Sequence, residues 1–168
     1  MNSRVRRFRE AGLTVVTLIA IVVVQGILAH RFRVFRFFDL PLIYCVYYGF
    51  TSNKPGRAVF VGTALGLLQD SLSGAPMGTN GLSKTVICYL AASTGLKFNV
   101  DQVITRVLAL FLFTLADGLL VTILGLTMGA KGGLLPGSTL VDLMLSGVFN
   151  TLLGLMMFGY RDRYRNAA

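Results

Sequence analysis

The sequence predicts an all-α integral membrane protein with about six transmembrane helices in one bundle. Hydrophobic residues make up 54% of the 168 residues and charged residues only 14%, whereas a water-soluble domain carries about 25% charged residues. Apolar runs recur along the whole chain and are separated by short polar or glycine-containing segments. Such runs cross lipid as helices, because a helix satisfies its own backbone hydrogen bonds. We therefore expect a single transmembrane domain over residues 1–168.

The predicted helices follow the apolar runs. The first run has 19 residues and reaches about 28 Å, close to the thickness of the hydrocarbon layer. Its arginine-rich start is also typical of a signal peptide, but the apolar core is too long and no small-residue cleavage motif follows. It is therefore interpreted as a retained anchor. The six predicted helices cover residues 11–29, 37–50, 58–72, 81–96, 103–128 and 139–160.

The distribution of basic residues predicts the orientation. With the N-terminus inside, the inner segments hold eleven lysines and arginines and the outer segments five: inside Arg4, Arg6, Arg7, Arg9, Lys54, Arg57, Lys97, Arg106, Arg161, Arg163 and Arg165, outside Arg31, Arg33, Arg36, Lys84 and Lys131. The positive-inside rule then places both termini in the cytoplasm. The three arginines of the first outer loop oppose this orientation and leave an alternative, in which helix two forms a re-entrant hairpin with helix three.

The net charge of +9 does not indicate nucleic-acid binding. The basic residues form short groups at the ends of apolar runs, a pattern typical of contact with anionic membrane lipid. Cys45 and Cys88 lie inside apolar runs without paired spacing, and His30 has no second ligand type near it. We therefore predict no metal site and no cofactor.

Motifs for catalysis are incomplete. Residues 78–85 approach a phosphate-binding loop, but Ser83 replaces the second glycine and no strand precedes the segment. Aspartates in apolar runs also suggest an intramembrane aspartic protease or a lipid phosphotransferase. The conserved blocks of lipoprotein signal peptidase are missing, and Asp117-Gly118 does not continue into the CDP-alcohol transferase pattern. We therefore expect that the protein is not an enzyme and that it has no catalytic residue.

Polar residues within the predicted helices require partners. Asp117 lies near the middle of helix five and Asn150 near the middle of helix six, where an unpaired charge costs about 2.5–3.5 kcal/mol. A hydrogen bond between them, as a structural clasp, is one hypothesis, and a proton or ion relay is the other. Gly62 and Gly66 form a small-xxx-small motif that lets two helix backbones approach closely.

The most informative segment joins helices three and four. Asp70 ends helix three, Gly74 and Gly78 permit turn geometry, and Pro76 fixes the path between them. Lys84 opens helix four, and we expect it to pair with Asp70 across the loop. The low charge of this loop favours contact with another protein.

These residues resemble the MreD family of bacterial rod shape-determining membrane proteins. The resemblance rests on the pattern G-x-x-x-G-L-L-x-D-x-L-x-G-x-P-x-G over residues 62–78, on Asp39-Leu40-Pro41 at the start of helix two, and on the chain length. It implies a non-catalytic scaffold of the cell-wall elongation machinery in the bacterial inner membrane. MreC is the implied direct partner, with MreB, RodA and a class B penicillin-binding protein in the wider complex.

The resemblance also implies a fold similar to the S components of vitamin (ECF) transporters. It therefore leaves an alternative function, a small-molecule-binding subunit of a vitamin transporter. That alternative predicts a pocket in the middle or outer half of the membrane with converging polar side chains.

Overall fold

The computed structural model describes residues 2–31, 37–52, 54–74, 76–97, 102–128 and 140–167, with the side chains of 2–15, 140, 161 and 163–167 excepted. These residues form six α-helices and no strand. The helices are α1 (Asn2–Arg31), α2 (Leu40–Ser52), α3 (Pro55–Ser73), α4 (Thr79–Lys97), α5 (Val103–Thr127) and α6 (Leu140–Ala167). The glycine-rich loop at residues 129–138 lies outside the described residues.

Most helix bounds differ from the expected ones by up to three residues, and the start of α1 and the end of α6 differ by more. Helix α1 starts nine residues before its apolar run, and α6 continues seven residues beyond it, because arginine and glutamate favour helix in water as well. Helix α2 starts at Leu40 rather than at residue 37. Asp39 caps it: its Oδ1 accepts a hydrogen bond from Leu42 N at 3.0 Å, and its carbonyl accepts one from Ile43 N.

Helix α2 occupies the centre of the bundle. It packs against each of the other five helices, and seven of its 13 residues are buried. The remaining contacts connect α1 with α3, α3 with α4, α4 with α5, and α5 with α6. Within the described chain α1 makes no close backbone approach to α6. The other five helices therefore surround α2 as an open ring.

Glycines set the close contact between α3 and α4. A Cβ atom built on Gly62 lies 2.5 Å from the Lys84 carbonyl oxygen, and one built on Gly66 meets the backbone at Asn80 and Gly81. At both positions the neighbour is main chain, which cannot move aside like the end of a flexible side chain. The two glycines therefore allow α3 and α4 to pack backbone to backbone, as the spacing predicts.

The outer faces of α5 and α6 are apolar. Val103–Thr127 and Val141–Tyr160 are long and apolar enough to cross a membrane, with less than a third of each buried inside the protein. Exposed leucines and isoleucines follow α5 at helical spacing, including Leu108, Leu112 and Leu119. Apolar side chains exposed on this scale are typical of a surface that faces lipid.

A buried arginine joins the start of α5 to the end of α6. Arg106 is 3% exposed, and its Nη1 donates to Asp162 Oδ2 at 2.5 Å. The guanidinium carbon also lies 4.9 Å from the ring centroid of Phe158. The ion pair and the cation–π contact together fix the start of α5 against the end of α6.

Candidate functional site

A cavity of about 520 Å³ lies at the end of the bundle where α2 begins. Because α2 starts only at Leu40, a space remains in front of its N-terminus. This space is lined by the C-terminal halves of α1 and α3, the start of α4, the middle of α5 and the first half of α6. Its polar lining residues include Gln25, His30, Asp39, Gln69, Asn80, Asp117 and Asn150.

A buried ion triad lies beside this cavity. The ammonium group of Lys84 donates to Asp39 Oδ2 and to Asp117 Oδ2, each at 2.7 Å. Ser83 Oγ donates to Asp117 Oδ1 at 2.6 Å. The Lys84 side chain is fully buried, and the side chains of Asp117 and Asp39 are 7% and 21% exposed. The triad therefore joins α4 and α5 to the residue that caps α2.

Two amide side chains hold the chain in front of α2. Gln25 Nε2 donates to the Phe38 carbonyl at 2.9 Å, and Gln25 Oε1 accepts from Leu40 N at 2.6 Å. Asn150 Oδ1 accepts from Asp39 N at 2.9 Å. These bonds tie the N-terminus of α2 to α1 and to α6, and they position the Asp39 carboxylate toward Lys84.

A second constellation builds the corner between α3 and α4. The carboxylate of Asp70, which is 1% exposed, accepts hydrogen bonds from Gly78 N, Asn80 N, Asn80 Nδ2 and Gly81 N at 2.8–3.1 Å. Gly74 has φ of 68° and Gly78 has φ of 98°, both in the left-handed region. A carboxylate at the N-terminus of α4 satisfies backbone N–H groups that the helix itself leaves free.

The structure corrects two expected pairings. Asp70 does not pair with Lys84, because its carboxylate is occupied by the N-terminus of α4. Asp117 does not bond to Asn150 either: Asp117 pairs with Lys84 and Ser83, and Asn150 accepts from Asp39 N. Lys84 is likewise fully buried and does not form an exposed pair at the loop.

Sequence reasoning missed Asp39 as a partner of Lys84 and Ser83 as a partner of Asp117. The signal for Asp39 was its position directly before Leu40-Pro41, which is typical of a helix start. Ser83 precedes Lys84 and carried no signal of its own. Pro76 lies in the corner, where its carbonyl accepts hydrogen bonds from Thr79 N and Thr79 Oγ1.

The side chains around the cavity are suited to binding and to holding the helices together. Each triad carboxylate already accepts the Lys84 ammonium, and Cys45 and Cys88 are buried as free thiols in the helix core. In the described part of the chain, no three His, Cys, Asp or Glu side chains are grouped to hold a metal ion.

The family model for rod shape-determining protein MreD matches residues 6–163, nearly the whole chain. The chain belongs to the MreD family. MreD proteins are membrane proteins that determine rod shape, and the family is a structural one, not known for enzymatic activity. No curated protein and no solved structure matches the chain. The match supports a role in cell shape and gives no support to the vitamin-transporter alternative.

Proposed function

We propose that the chain is a non-catalytic scaffold of the cell-wall elongation machinery and that it binds MreC at the corner between α3 and α4. MreB, RodA and a class B penicillin-binding protein belong to the wider complex. Membership of the family supports the role in rod shape. The corner is a suitable docking place, because hydrogen bonds within it fix its conformation while apolar side chains project from it.

The observation that carries the docking proposal is the buried Asp70 carboxylate. Its four hydrogen bonds hold residues 78–81 against the end of α3. Around this fixed centre, Leu72 is 57% exposed and Met77 is 69% exposed. A corner whose backbone is already fixed loses little backbone conformational entropy on binding. It therefore suits a protein partner at the outer face of the membrane.

A substitution at Met77 tests the docking. Met77→Lys is expected to lower the yield of co-purified MreC about tenfold, because it places a charge at the centre of an apolar contact. Met77 is 69% exposed, and its sulfur accepts a weak hydrogen bond from Ser71 Oγ at 3.9 Å, so the fold is expected to survive. The measurement is the ratio of MreC to membrane-inserted protein after affinity purification, together with cell rounding in a strain that depends on the variant.

The matched control is Leu96→Lys. Leu96 is 57% exposed near the opposite end of α4, beside Lys97. It is expected to leave the MreC ratio unchanged. Equal ratios for Met77→Lys and the unsubstituted protein would place the docking surface elsewhere.

The proposed orientation has both termini in the cytoplasm and six spans. Reporter fusions at Lys54, at Lys97 and at the C-terminus are expected to give cytoplasmic activity, because most basic residues lie on that side. Fusions at Gly74 and at Lys131 are expected to report the periplasm. A periplasmic signal from the C-terminal fusion would require an odd number of spans and would reject the proposed orientation.

A further inference from the structure

The ion triad beside the cavity has two carboxylates and one ammonium group. Asp39 and Asp117 share a single ammonium group, that of Lys84, so the ionised triad sums to one negative charge. Asp39 is the most exposed of the three, and it lines the cavity. An excess charge in a site with low-dielectric walls attracts a group of the opposite sign.

One amide group of the cavity wall has hydrogen-bonding capacity left. Gln69 Oε1 is buried and has no partner among the described residues. Buried polar groups normally have partners. The wall therefore offers an amide oxygen and the Asp39 carboxylate to a cation.

The cavity lies where the ring of helices is open. Helices α1 and α6 both line it, yet within the described ranges they make no close backbone approach to each other. Another side of the same turns of α6 is wholly apolar and exposed, with Val141, Met144, Leu145 and Val148. A polar cavity and an apolar helix face of this kind suit a molecule with a polar head and an apolar tail.

We propose that the cavity binds the headgroup of a membrane phospholipid that carries a primary ammonium group. The ammonium lies at the Asp39 carboxylate and Gln69 Oε1, and an acyl chain follows the apolar face of α6. An ammonium group supplies three hydrogen-bond donors, which a trimethylammonium group lacks. The site therefore distinguishes phosphatidylethanolamine from phosphatidylcholine. This inference goes beyond the scaffold function, and its test does not involve MreC.

The test uses the full-length protein in nanodiscs that contain both lipids, followed by gentle extraction and native mass spectrometry. Retention of phosphatidylethanolamine is expected to exceed that of phosphatidylcholine by at least about tenfold, because hydrogen bonds to a charged group are lost in the methylated lipid. Gly26→Phe is expected to abolish this preference. Gly26 lines the cavity, and a Cβ there meets no atom within 4 Å, so a bulky side chain is admitted at the cavity wall without strain.

Two matched controls, Gly159→Phe and Gln102→Leu, test whether the effects are specific to the cavity. Gly159→Phe adds the same ring at an exposed glycine of α6 with equal open space, outside the cavity, and is expected to retain the preference. Gln69→Leu removes the free acceptor and is expected to weaken phosphatidylethanolamine binding about tenfold. Gln102→Leu, at the exposed start of α5, is expected to leave it unchanged.

Four outcomes would overturn the proposal. Equal retention of the two lipids would exclude recognition of the ammonium group. An unchanged preference in Gly26→Phe would place the lipid outside the cavity. Displacement of the lipid by soluble phosphoethanolamine at equal concentration would assign the site to a free amine, and binding of a lysine-containing peptide without any retained lipid would assign it to a protein.

Discussion

Replacing Lys84 by methionine is expected to lower the free energy of unfolding by about 3–5 kcal/mol, because it leaves two carboxylates buried without their cation. Nζ lies 2.7 Å from an oxygen of each carboxylate, and the Lys84 side chain is fully buried. Methionine is an unbranched side chain only one atom shorter than lysine, and it removes the charge together with the three hydrogen-bond donors. The measurement is reversible unfolding in mixed micelles, followed by circular dichroism.

The control for Lys84 is Lys97→Met, at the exposed end of the same helix, where the expected change is below about 0.5 kcal/mol. A triple variant that adds Asp39→Asn and Asp117→Asn to Lys84→Met is expected to recover most of the loss. Asparagine at position 39 can still accept the hydrogen bond from Leu42 N. If Lys84→Met were as stable as Lys97→Met, the triad would not support the bundle.

Gly66→Leu is expected to prevent the native packing of α3 on α4 and to cost at least about 3 kcal/mol. A Cβ at this position meets the backbone of Asn80 and Gly81, so the two helices must separate to admit any side chain. That separation also pulls Asp70 away from the N–H groups that it caps. The measurement is the fraction of protein that elutes as a single species in detergent, followed by unfolding of that fraction.

Gly56→Leu is the matched control, since it makes the same change in the same helix where no atom lies within 4 Å of the Cβ position. Leucine has the higher helix propensity, so this variant is expected to be neutral or slightly more stable. Native elution and stability of Gly66→Leu equal to those of Gly56→Leu would show that close approach of α3 and α4 is not required.

The sequence predicts the helical architecture well because lipid imposes strict rules on composition. Each apolar run corresponds to a helix, and the spacing of Gly62 and Gly66 indicates the close contact with α4. The predicted start of α1 and the predicted end of α6 were wrong, because hydropathy marks only the apolar part of a helix. The conformation of the corner followed from Gly74 and Gly78, both of which have positive φ.

The partners of the charged residues could not be predicted in the same way. Lys84 follows Asp70 closely in sequence, which suggested that the two would pair, yet its partners are 45 and 33 residues away. Which distant carboxylates reach an ammonium group depends on how α2 and α5 pack around α4. That packing is a tertiary property, and a single sequence carries no local signal for it.

The shortness of α2 has a consequence for biosynthesis. Its 13 residues span about 20 Å, against a hydrocarbon layer of about 30 Å, so α2 is too short to cross that layer alone. Asp39 leaves the ribosome before Lys84, and Asp117 leaves it last. In the proposed arrangement with six spans, Asp39 is therefore available as a counterion when α4 is inserted, and α5 then brings the second one. Vectorial synthesis would thus supply one partner of the ammonium first and complete the triad afterwards.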